Sequence, residues 1–157
     1  MISDGALATS EPGPVSGEFR HEMAVLEDRL AKDPADPEAL LRSAVLLQDA
    51  HQPAEAAERY RRLLAVDPGN RQAWLDLANV SVEAGDTAGA LAATEGLLAE
   101  FPDDPEGLWN LGAIQANRGR TEAARAAWRR ASEQTADPAI AERATEALER
   151  IADAAER

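Results

Sequence analysis

The chain has no cysteine among its 157 residues. That excludes a disulfide framework and thiol chemistry, and it leaves the redox compartment open. Positive charge is scarce: 16 Lys and Arg stand against 29 Asp and Glu, a net charge of −13. A nucleic-acid partner requires a basic footprint, so none is expected, and neither is direct binding to an anionic membrane surface. No apolar run approaches the roughly 18 residues that span a bilayer. Residues 1–17 lack the basic and apolar regions of an export signal. The expected location is therefore cytoplasmic, or periplasmic if the sequence is a domain of an anchored parent. Only two histidines occur, His21 and His51. One falls on a helical pattern and the other in a turn, which gives no acid–base or metal-binding constellation. No glycine-rich phosphate loop, G-x-S-x-G or H-E-x-x-H is present. No cofactor, metal or catalytic residue is expected, and the chain reads as non-enzymatic.

What the sequence does have is a period. Leu40, Ala44, Ala56, Tyr60 and Pro68 recur 34 residues later as Trp74, Ala78, Ala90, Thr94 and Pro102. The first four recur again as Leu108, Gly112, Ala124 and Trp128. Matching residue sizes at a fixed period mark a solenoid, in which each repeat buries its apolar face against its neighbours. Within each copy two helical patterns are separated by a turn at His51, Gly85 or Gly119. Asp36-Pro37, Asn70-Arg71, Asp104-Pro105 and Asp137-Pro138 supply N-caps, with proline at the first helical position in three of the four. The acidic clusters around Asp33-Asp36-Glu38 and Asp103-Asp104-Glu106 are read as caps facing the positive helix end, because they lack EF-hand spacing.

These positions resemble the tetratricopeptide repeat, whose pattern is W-x2-L-G-x2-Y, then A-x3-F, then P. The middle copy reads Trp74-x2-Leu77-Ala78-x2-Ser81, then Ala90-x3-Thr94, then Pro102. The departures are Ser43, Ser81, Thr94, Gln115 and Ala136. The resemblance implies an all-α fold: three helix-turn-helix repeats over 35–138 (37–70, 71–104 and 105–138) between two capping helices. The N-terminal cap covers 18–34 and is a lone B-type helix in phase through Pro34. The C-terminal cap covers 139–157. Residues 1–17, rich in Gly and Pro, read as a disordered arm. Seven helices, no strand and a right-handed superhelix are expected.

The resemblance also implies a site. In the family a second stripe on the A helices lines a concave groove that receives an extended or helical peptide. Here the stripe is Leu41 and Val45, then Leu75, Asn79 and Val82, then Trp109, Asn110, Ala113 and Asn117. Asparagine amides at this stripe can pair with a peptide backbone through both donor and acceptor. Trp109 stands beside Leu108, which already fills the packing position, so it is expected to be partly exposed. Its loss is expected to cost under about 1 kcal/mol of stability and at least about 2 kcal/mol of binding. The family's clamp for a C-terminal carboxylate is not expected, since only Arg42 and Asn110 match its needs. The implied function is a scaffold that binds another protein. Two alternatives stay open. Eight acidic residues and no Lys or Arg lie between 72 and 117, followed by five Arg and one Glu over 118–130, an asymmetry that would favour a basic partner or a homo-oligomer. The run VLEDRLAKDPADP at 25–37 is similar to the repeat domain of bacterial cytochrome c maturation proteins, which hold an apocytochrome tail.

Overall fold

The structure, a computed structural model, describes residues 16–134 and 136–155. Among these residues there are eight helices and no strand: α1 Gly17–Lys32, α2 Pro37–Asp49, α3 Pro53–Val66, α4 Arg71–Glu83, α5 Thr87–Glu100, α6 Pro105–Asn117, α7 Thr121–Gln134 and α8 Pro138–Ala155. The expected count of seven is corrected: a lone first helix, three pairs and a last helix make eight. Of the residues read as a disordered arm, 1–15 lie outside the described residues. Gly17 instead opens α1 and Ser16 caps it, the Ser16 hydroxyl accepting from the Phe19 N–H at 3.2 Å.

Local chemistry sets each boundary. Asp36, Asn70, Asp86 and Asp104 accept from the N–H three residues on, at 3.0, 3.1, 2.8 and 2.8 Å. These bonds satisfy orphan donors at four helix starts. The A helices end in one repeated device. His51, Gly85 and Gly119 have φ of 55°, 74° and 72°. The next N–H in each case donates back across the turn, from Gln52 to Leu47, Asp86 to Ser81 and Arg120 to Gln115, at 2.9, 2.8 and 2.9 Å. This is the Schellman closure, and it reverses the chain into the B helix.

Each helix packs on its chain neighbours, and α8 also touches α6. The buried side chains fall into two clusters. One joins α1 to α5 through Leu30, Leu40, Tyr60, Leu63 and Val80. The other joins α6 to α8 through Leu108, Ala124, Trp128, Ile140 and Ala144. Glycine at 112 makes room for the largest of the three B-helix residues. Trp128 lies so close to Gly112 that a Cβ there would sit 2.2 Å from its Nε1.

Candidate functional site on the A helices

The nine stripe residues do not form one uniform groove. Leu75, Asn79, Trp109 and Asn110 converge on a hollow of about 380 Å³ where α4, α6 and the start of α8 meet. Ala113, Asn117 and the other side of Trp109 border a second hollow of about 390 Å³ between α6 and α8. Leu41 and Val45 border a third, of about 540 Å³, with Val25 and Leu26 of α1. Val82 borders none of the three and is 61% exposed. Leu75 is only 5% exposed and forms floor rather than a protruding contact. Neighbouring helices cover it.

Trp109 is half-buried and separates the first two hollows. Its ring stacks on Trp128, with centroids 5.6 Å apart and planes at 30°. The guanidinium of Arg143 lies 4.3 Å from the Trp109 ring centroid. The indole N–H of Trp128 donates to the Trp109 carbonyl at 3.2 Å. Trp109 is thus partly exposed, as expected, but it is not an independent surface residue. Stacking and partial burial raise the expected cost of its removal from under 1 to about 2 kcal/mol.

Neither Asn79, which is exposed, nor Asn110, which is half-buried, makes a side-chain hydrogen bond among the described residues. Both amides are presented to the hollow with donor and acceptor available. Arg42 is engaged by Glu22 at 2.5 Å. That contact holds the Glu22 carboxyl below its ordinary range, and the scaffold has thereby taken up this cation.

The α8 contribution was missed by sequence reading. Arg143 and Ile140 line the first hollow, and Arg150 and Ile151 the second. The signal was present: Asp137-Pro138 follows Asp104-Pro105 by 33 residues, one short of the period. Continuing the pattern with that single deletion makes α8 a further A-type helix and aligns Arg143 with Asn110.

Among the described residues, no group of three or more His, Asp or Glu is placed to hold a metal, and no helix is long and apolar enough to cross a membrane. No curated protein matches the sequence. Solved structures are similar in fold. MamA has a TM-score of 0.64 at 16% identity, covering 89% of this chain and 90% of that one. PcrH, in complex with the chaperone-binding region of PopD, has a TM-score of 0.64 at 20% identity, covering 81% and 93%. SycD, a type III secretion translocator chaperone of Yersinia enterocolitica, has a TM-score of 0.62 at 16% identity, covering 81% and 96%. The tetratricopeptide repeat family model matches residues 47–106 and 81–148, together more than half of the chain. The chain belongs to the tetratricopeptide repeat family.

Proposed function

We propose that this chain is a non-enzymatic protein-interaction scaffold that holds a segment of a partner protein along its A-helix face. The contact is centred on the hollow between α4, α6 and α8. One observation carries this reading: Asn79 and Asn110, from consecutive A helices, present unpaired amides beside Trp109 and over the apolar floor of Leu75. An amide with both donor and acceptor free matches a peptide backbone, and a half-buried Trp matches the residue type that dominates protein contacts. The likeness to PcrH supports the reading, since that protein is bound to a region of PopD in its solved structure.

The test is affinity capture from the source cell with wild type and with the Asn79→Ala/Asn110→Ala double variant. Neither side chain makes a hydrogen bond among the described residues, so the variant should stay folded. A partner retained by wild type should be weakened by about 1 kcal/mol for each lost hydrogen bond. Equal retention by the double variant would move the site off this face.

A further inference from the structure

We propose that α8 selects the partner segment, and that the segment carries an acidic side chain next to a bulky apolar one. This rests on the reading that the A-helix face is the contact surface. The apolar half follows from the second hollow. Its floor is Ala113, Ala116 and Ala147, and its walls are Trp109 and Ile151. Small residues below two large ones leave a recess of about 390 Å³, into which a Leu, Met or Phe side chain fits and loses its apolar surface to water.

The acidic half follows from which cations the scaffold leaves free. Arg29 is held by Asp36 and Glu38, Arg42 by Glu22, and Arg71 by Asp104 and Glu106. Arg143 and Arg150 have no carboxylate partner among the described residues. Arg143 lies over the Trp109 ring, and Arg150 donates to the backbone carbonyl of Glu146 at 3.3 Å. The two stand seven residues apart on α8, about 10 Å along one face, with one at each hollow. Two acids line the first hollow, and both are engaged elsewhere. Glu106 lies 3.4 Å from Arg71, and the Asp137 carboxylate accepts from the Ala139 and Ile140 N–H groups. Two guanidiniums without a carboxylate partner among the described residues, beside an apolar recess, favour a carboxylate on the incoming segment. A guanidinium already stacked on an indole also loses little freedom when it pairs.

The experiment pans the purified chain against a phage-displayed random 12-residue library whose peptides are fused at their C-terminus, so that only internal side chains are read. The leading peptides are then made with amidated ends and their Kd measured by fluorescence polarisation. Enriched peptides should pair Leu, Met or Phe with Asp or Glu within a few residues. Arg143→Gln/Arg150→Gln should weaken them about tenfold, the size of one charge-assisted hydrogen bond, with unchanged circular dichroism. Asp→Asn or Glu→Gln in the peptide should weaken wild type by the same factor and leave the variant unaffected. Enrichment of basic or uncharged peptides, or binding indifferent to the double variant, would overturn the proposal. If those peptides still needed Asn79 and Trp109, the A-helix contact surface would stand without α8 selection. Binding insensitive to Asn79, Trp109 and both arginines would overturn the contact surface as well. A library with no enriched sequence whose free-acid counterparts do bind would assign the arginines to a C-terminal carboxylate, which also overturns it.

Discussion

Gly96 is where one residue departs from the repeat and the packing answers it. Positions 62, 96 and 130 are 34 apart, and the outer two are arginines. Arg62 donates to the Pro34 carbonyl at 2.9 Å, and Arg130 to the Pro102 carbonyl at 2.8 Å. The middle copy has glycine, and its Pro68 carbonyl accepts from the indole N–H of Trp74 at 2.8 Å. The Trp74 ring occupies the space over Gly96, where a Cβ would come within 2.4 Å of it. Glycine inside an exposed helix ordinarily gives way to alanine with a gain of about 0.5–1 kcal/mol. Gly96→Ala should do the reverse and destabilise by about 1–3 kcal/mol through overpacking. Urea denaturation reads the sign directly, and a rise in midpoint would mean that the Trp74 ring is free to leave. His51 gives the opposite case. It holds a left-handed φ of 55° where the other copies have glycine, so His51→Gly should stabilise by about 0.5–1 kcal/mol. A fall in the thermal midpoint would contradict that account of the turn.

At the scale of elements, the repeats were legible because the period, the Asp-Pro caps and the turn positions all agree. All four caps read from the sequence carry hydrogen bonds to the first turn, and the three turns share one closure. The run at 25–37 is absorbed by the same chemistry: it ends α1, caps α2 and pairs Arg29 with Asp36 and Glu38. The site was legible only in part. A helical wheel gives direction from one helix and says nothing about what the next helix covers. Leu75 is therefore read as part of the stripe although it is buried, and α8 is read only as a cap although its Arg143 lies over Trp109. The contact of α6, α7 and α8 is where these omissions meet. Trp128, 7% exposed, is the core residue of α7, and Trp128→Ala should cost about 3–5 kcal/mol. Because Trp109 stacks on it, the two losses should not add. A double-mutant cycle read by chemical denaturation should return a coupling of about 0.5–1.5 kcal/mol. Additive losses would mean that the stack contributes no more than the two separate burials.

At the scale of the whole molecule, one framework is repeated with different side chains in each copy. Tyr60, Thr94 and Trp128 differ in size at one B-helix position, and glycine stands at 112 against the tryptophan where the other two copies have Ala44 and Ala78. The A-helix face carries the amides of Asn79 and Asn110 and the half-buried Trp109, and α8 adds Arg143 and Arg150 beside them. The outer face of α7 is its natural control, since Ala126 is exposed there. Site-specific photocrosslinking separates the two faces. A benzoylphenylalanine is placed at Ala113, at the edge of the hollow between α6 and α8, or at Ala126, and the protein is irradiated in its source cell. The account predicts a discrete adduct with a partner protein from position 113 and none from position 126. An adduct from 126 with none from 113 would contradict it.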